Sequence, residues 1–397
     1  MGRLGPAPSF FQRKAPLRSA GIRSGRRPGL AAERGAIVKA HTPEKKPYTI
    51  SACTIARNEA KNIARSIRSY RDFVDEIVVV DTGSTDDTAR IARETGARVV
   101  SFEWQGDFAA ARNFALDQVS GDWAVFLDAD EYFSPHAGPQ VRRCIDIARR
   151  GGQNLIGCKW LNLDADNPDR RLPAGFVIRI LKAGVRYRYR IHEEAVPAEG
   201  KKILFAEKRR FFLYHTGYSS SAIRGKAERN LPLLLQEMEE ETDDQRRQVD
   251  YSYLSDCYYT LGEYEKCRDA SETFIRFSRQ KGVVLLGNAA KPYLNLLTAL
   301  GRLDSPLEEQ AKWAGEFETA FPNFPDARMV SGRLALLQRR LLTAERKLRE
   351  TLRAAADYTD AEACQVASVP EECHFTLGQA LARQGRVSDA LLSFFQA

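Results

Sequence analysis

The chain has 397 residues, 43% of them hydrophobic and 28% charged, with a formal net charge of +8. That length suits two domains, or one large domain with additions, and leaves ample material for cores. The charge does not mark a nucleic-acid footprint: residues 1–47 hold eleven Lys and Arg against Glu33 and Glu44, so the other 350 sum to about −1. Nor does any apolar run reach the ~18 residues a membrane span needs. A soluble, cytoplasmic protein with no nucleic-acid partner and no transmembrane segment is expected.

Residues 1–47 are rich in Arg, Pro, Gly and Ala, lack an apolar period, and read as a disordered basic tail. An organellar transit segment or an upstream mis-start of the frame are the alternatives. The seven cysteines are odd in number, show no Cys-x-x-Cys, and sit among apolar neighbours, so buried reduced thiols are expected.

From Tyr48 the pattern alternates short β-rich runs with helical segments. Strands are predicted at Thr49–Ile55, Glu76–Asp81, Arg98–Phe102 and Trp123–Asp128, and helices near Ala60–Tyr70, Asp86–Glu94, Asp107–Val119 and Pro135–Arg150. Such alternation predicts an α/β domain with a parallel sheet. Residues 154–215 then offer strand-like runs without intervening helices, at Gly175–Leu181, Arg186–His192 and Phe211–Tyr214. They predict an antiparallel addition that completes a crevice. Near Ser219 the chain turns helical to its end. Small, aromatic and alanine positions from His374 to Ala397 match the tetratricopeptide pattern. The frame recurs around Ser255, Tyr258, Gly262, Tyr264 and Cys267, and more loosely at Gly332, Ala344 and Leu348. The expected division is a tail at 1–47, an α/β domain at 48–220 and a helical repeat domain at 221–397.

Two strand ends carry the chemistry. Val79-Val80-Asp81-Thr82-Gly83-Ser84-Thr85-Asp86 reads as a strand ending on a carboxylate and turning through Gly83 into a helix capped by Ser84 or Thr85. Val125-Phe126-Leu127-Asp128-Ala129-Asp130-Glu131 reads as a strand whose end projects Asp128 and Asp130 the same way, toward one divalent ion and one polar ligand. Adjacent strand ends of this kind form the nucleotide crevice of an open α/β sheet.

Together with Thr54-Ile55-Ala56-Arg57-Asn58-Glu59 and Ala111-Arg112-Asn113, these segments, in this order and spacing, resemble the nucleotide-sugar domain of glycosyltransferase family 2. The resemblance implies the GT-A fold, a Rossmann-like mixed sheet, and a sugar transferred from a nucleoside diphosphate, with uridine diphosphate the commonest donor type. It implies a divalent ion, Mn2+ or Mg2+, at Asp130 and Asp128, with Asp128 also nearer the ribose, and inversion by direct displacement. His215, after the strand Phe211–Tyr214, resembles the histidine that many GT-A enzymes return to the metal. Arg57, Glu59 and Asp81 are the remaining donor candidates. Arg112 either pairs with phosphate, the favoured reading, or forms a buried ion pair with a strand-end acid.

The Glu-Asp pair usual in the second half of family 2 domains is absent. Arg190-Ile191-His192-Glu193-Glu194 stands in its place and resembles the Arg-x-His-Glu segment of the tetratricopeptide-bearing branch. Glu193 becomes the candidate general base, oriented by His192. That branch includes peptide S-glycosyltransferases, and a peptide, glycan or lipid-linked acceptor all remain open. The repeats would hold the acceptor, a protein partner or a second copy. The competing class is a catalytically silent nucleotide-binding platform that works through its repeats.

Overall fold

The computed structural model describes residues 47–164, 166–167, 172, 174–206, 211–217, 223–281, 289–358 and 364–397. Apart from Pro47, the expected basic tail lies outside the described residues, as does the expected boundary at residues 220 and 221. The first half alternates as β1 (Ile50–Ala56), α1 (Ile63–Tyr70), β2 (Glu76–Asp81), α2 (Thr88–Glu94), β3 (Arg98–Ser101), α3 (Phe108–Asp117) and β4 (Trp123–Phe126). There follow β5 (Glu131–Phe133), α4 (Ala137–Gly151), β6 (Leu155–Asn162), β7 (Gly175–Lys182), β8 (Arg186–Arg188), β9 (Glu194–Val196), β10 (Ile203–Phe205) and β11 (Phe212–His215).

Among the described residues nine strands form one mixed sheet in the order β3-β2-β1-β4-β7-β6-β11-β5, with β10 beside β6. The four strands β3, β2, β1 and β4 are parallel, and β7 enters antiparallel between β4 and β6. The added part is not wholly antiparallel as expected: β10 and β11 run parallel to β6. The reason is covalent reach, because each returns to the sheet by a crossover instead of a hairpin. β8 and β9 pair separately.

β1 is buried along nearly its whole length because both faces are covered. Ile50, Ala52, Val79 and Val125 pack on Ile63, Ile67 and Tyr70 of α1 and on Val141 and Ile145 of α4. Cys53, Val78, Val80 and Phe126 pack on the α3 side with Ala109 and Ala115. All seven thiols are free and buried.

Two predicted boundaries shift for local reasons. The helix after β2 starts at Thr88 behind Asp87, not at Ser84 or Thr85, because those hydroxyls are used by the neighbouring loop. The strand predicted to reach His192 stops at Arg188, where Tyr189 (φ 76°) and His192 (φ 52°) enter the left-handed region.

The helical half comprises α5 (Ile223–Glu240), α6 (Asp244–Leu261), α7 (Tyr264–Lys281), α8 (Lys291–Arg302), α9 (Leu307–Ala320), α10 (Pro325–Leu337) and α11 (Leu341–Ala356). It closes with α12 (Gln365–Ser368), α13 (Glu371–Arg383) and α14 (Val387–Phe394). No helix among the described residues is long and apolar enough to cross a membrane. The three sequence frames fall on the pairs α6–α7, α10–α11 and α13–α14, with a glycine at a close crossing in the last two. Gly262 (φ 81°) ends α6 in the left-handed conformation that glycine adopts without strain. A Cβ at Gly332 would lie 2.9 Å from Leu348, which is fully buried.

Gly332→Val should therefore lower stability by about 1–3 kcal/mol through overpacking against Leu348, read as a fall in the urea midpoint at unchanged m-value. Gly315→Val, where a Cβ meets nothing within 4 Å, should be neutral or slightly stabilising, because valine is the better helix former.

Candidate functional site

The carboxyl ends of β1 and β2 are stitched together by side chains. Asn58 takes the left-handed conformation (φ 56°), and its Oδ1 accepts from Thr85 N at 2.8 Å. Ser84 Oγ accepts from Asn58 N at 3.0 Å, and Thr88 Oγ1 from Glu59 N at 2.7 Å. Asp81 belongs to this turn: its Oδ1 accepts from Ser84 N at 2.9 Å. The structure thus uses Asp81 to cap the Gly83 turn, while Arg57 and Glu59 line a cleft of about 430 Å³ beside it. Burial pushes the Glu59 carboxyl up, against the hydrogen bond from the Asn62 amide.

At the centre of the cleft stands Asp128. Its Oδ1 accepts from Arg112 Nη2 at 2.8 Å and its Oδ2 from Arg179 Nη2 at 2.6 Å. Arg179 also donates to Glu131, Nε to Oε2 at 2.6 Å and Nη2 to Oε1 at 2.8 Å, and Glu131 is fully buried. At the other end Arg112 Nε pairs with Glu193 Oε1. Five side chains thus form one chain of charge, Glu193–Arg112–Asp128–Arg179–Glu131. Burial alone would raise the Asp128 carboxyl, but the two guanidiniums hold it well below the usual carboxylate range. Glu131 keeps a raised value because burial outweighs Arg179.

Each member arrives by secondary structure. β4 and β7 are antiparallel neighbours with Val125 opposite Ile180, which sets Arg179 beside the chain leaving β4. Arg112 lies on the buried face of α3, under the rings of Phe126 and Tyr187 at 4.9 and 5.3 Å. Its neighbour Asn113 fixes β8, accepting from Tyr187 N at 2.8 Å and donating to Tyr187 O at 2.9 Å.

Asp130 forms a second centre. β11 pairs antiparallel with β5 so that His215 stands opposite Glu131, and His215 Nε2 comes 3.5 Å from Asp130 Oδ2. The imidazole stacks on Trp160 at 4.4 Å, and its Nδ1 meets Asn162 Oδ1 at 2.8 Å. The Asn162 contact fixes the ring so that Nε2 faces Asp130. Lys226 Nζ of α5 also lies 3.5 Å from Asp130 Oδ2. Gly217 leaves this spot open: a Cβ there would overlap Asp130 Oδ2, His215 Nε2 and Lys226 Nζ.

Three expectations are corrected by this geometry. Arg112 does not stand ready for phosphate but forms the buried ion pair with strand-end Asp128. Both Asp128 oxygens are engaged by guanidiniums, so only Asp130 and His215 of the three expected metal residues come together. Among the described residues no three His, Cys, Asp or Glu side chains cluster as a ready-made metal site. Finally, His192 does not orient Glu193. Its ring stacks flat on Tyr253 at 3.4 Å, its Nε2 is buried without a partner, and burial pushes its pKa down to about 3. Glu193 is oriented by Arg112 instead.

Sequence reasoning missed Arg179, whose signal was a lone cation inside the apolar run Phe176-Val177-Ile178-Arg179-Ile180. It also missed Trp104, Lys226, Arg229 and Tyr253, which line the cleft; the last three come from the helical half.

Arg179→Met should leave the Glu131 carboxylate buried and unpaired, costing about 3–5 kcal/mol at pH 7 in urea unfolding. Glu131 already sits above its ordinary value and rises further without Arg179, so the deficit should shrink as pH falls and Glu131 takes up a proton. Asp128 adds to the same sign, since the stability its paired carboxylate contributes is present above its unfolded pKa and is lost on acidification.

Residues 51–203 match the family model Glycosyl transferase family 2. The chain is 46% identical over 92 residues to an uncharacterized glycosyltransferase of Rickettsia felis, covering 23% of this chain and 32% of that one. It is 44% identical over 97 residues to a TPR repeat-containing protein of Synechococcus elongatus, 24% of each. It is 27% identical over 194 residues to the SPbeta prophage-derived glycosyltransferase SunS of Bacillus subtilis, 47% of this chain and 44% of that one. The match spans less than half the length of each of these relatives. Residues 51–203, which contain the charge chain and Asp130, constitute a glycosyl transferase family 2 domain.

Proposed function

We propose that the chain transfers a sugar from a nucleoside diphosphate to an acceptor held beside Glu193. The observation that carries this reading is the Asp130–His215 pair, opened by Gly217 and faced by Lys226, beside the Asp128–Arg112–Glu193 chain in one cleft. Arg57 and Glu59 at the end of β1 would meet the nucleoside. Lys226 and Arg229 of α5 would face the diphosphate.

Asp130 Oδ2 and His215 Nε2, 3.5 Å apart, would hold a divalent ion such as Mn2+ or Mg2+. Bound there, such an ion would supply Lewis-acid neutralisation of the leaving group. The chain's own residues then do the rest. Glu193, fixed through Oε1 by Arg112, keeps Oε2 for the acceptor proton. The acceptor atom attacks the anomeric carbon as the bond to the diphosphate oxygen breaks, with inversion as the family resemblance implies. The buried charge chain holds these groups in place before substrate arrives.

The same engagement of Asp128 and Glu193 with guanidiniums favours one second reading, a nucleotide-binding platform without turnover. Two experiments separate them. Uridine diphosphate with Mn2+, at about 100 times its dissociation constant, should stabilise the chain by roughly 2.7 kcal/mol in a thermal-shift assay. Asp130→Ala and Gly217→Ala should remove that metal-dependent part, and guanosine, cytidine and thymidine diphosphates serve as comparisons. Absence of any nucleotide effect sinks the donor reading. In turnover, Glu193→Gln should lower kcat on the order of 10²–10⁴-fold with donor affinity unchanged; wild-type binding with no transfer to any acceptor favours the platform.

A further inference from the structure

The loop that presents Glu193 does not rest on the sheet alone. Three consecutive carbonyls of this loop are taken up. Arg190 O accepts from Phe108 N, the first helical amide of α3, at 2.8 Å. Ile191 O and His192 O accept from the two terminal nitrogens of Arg246 on α6, Nη2 at 2.7 Å and Nη1 at 3.3 Å. Ile191 N donates to Glu237 Oε2 of α5 at 3.0 Å, and Arg246 Nε donates to Glu237 Oε1 at 2.9 Å. Asp250 Oδ1 lies 3.0 Å from Arg246 Nε, and the Tyr189 ring covers the guanidinium at 3.9 Å.

This placement runs against local preference. Arg246 sits in the first turn of α6, where the helix dipole disfavours a cation, and it is 2% exposed. A guanidinium so buried needs its donors filled, and the loop backbone fills two of them. The loop in turn holds Tyr189 and His192 in the left-handed region, a conformation that persists where surroundings over-determine it. The residue after His192 is Glu193.

We infer that Arg246 is a positioning residue for the transfer reaction: through the carbonyls of Ile191 and His192 it sets the loop from which Glu193 reaches the cleft. The helical half thereby completes the reacting centre, in addition to whatever it binds elsewhere. This rests on the reading of Glu193 as the proton acceptor.

The test uses the full chain carrying Arg246→Met, followed by hydrogen exchange, nucleotide binding and turnover. Amide exchange at residues 189–194 should rise by about tenfold or more while β1, β2 and β4 keep their protection. The thermal shift given by uridine diphosphate with Mn2+ should persist. The turnover number should fall on the order of 10²-fold with donor KM within about threefold, as misplacement of one reacting group predicts. Arg246→Lys, a point charge that cannot fork between two carbonyls, should not restore turnover.

Unchanged loop exchange, or turnover within about threefold of wild type, overturns the inference. If Arg246→Met does not fold, Glu237→Gln decides by the same readings, since it removes the charge that anchors Arg246 and keeps the side chain's shape. If the wild type neither binds nucleotide nor transfers sugar, the donor reading fails, whereas a wild type that binds and transfers beside a variant with raised loop exchange and intact kcat overturns the positioning role alone.

Discussion

Everything in the cleft depends on Asp128 being held from both sides. Its two oxygens join a guanidinium from α3 to one from β7, and those guanidiniums reach on to Glu193 and Glu131. Three acids and two cations are thereby fixed with no freedom to rearrange singly. Buried ion pairs of this kind add little net stability against apolar residues of equal size, because desolvation offsets the attraction. Their consequence is geometric. Removing either guanidinium leaves a buried acid short of its partner, so four segments distant in sequence are obliged to meet at one point.

From that point the cleft divides into two ends of different character. Toward β11, a carboxylate and an imidazole face each other across a gap that only glycine at 217 keeps open. Toward α5 and α6, the wall turns aromatic and basic, with Trp104 packed on Phe108 and His192 stacked on Tyr253. His192, its pKa pushed down to about 3 by burial, acts there as a flat neutral stacking surface.

The parallel half of the sheet was legible in the sequence because its strands are buried on both faces, so Val79, Val80, Val125 and Phe126 read as continuous apolar runs ending on acids. Asp130, His215, Arg57, Glu59, Arg112 and Glu193 were all picked out, and all line the cleft. Their pairings were not legible. Whether Arg112 meets phosphate or Asp128 depends on β7 supplying Arg179, a long-range register that no local pattern encodes. The part Asp81 plays was not legible either, because a strand-end acid reads the same whether it faces a ligand or caps a tight turn. His192 was misjudged because its ring direction follows from a left-handed backbone at a non-glycine residue, and from a stacking partner on α6. The helical half was legible where small residues sit at crossings, as at Gly332 and Gly378, and less so in α8 and α9, whose frame is degenerate.

The apolar join between the two halves has a consequence for how such a chain can be cut or recombined. Ile191, Leu234 and Leu254 form one buried cluster, with Phe108 and Leu231 against it. A break made after β11 would retain every acid of the cleft yet strip the floor from beneath residues 189–193, exposing Ile191 and two backbone carbonyls to water. The smallest piece able to keep its own cleft shape therefore extends through α6. Helices from α7 onward are the part that a descendant or an engineer could exchange with least disturbance to the acids.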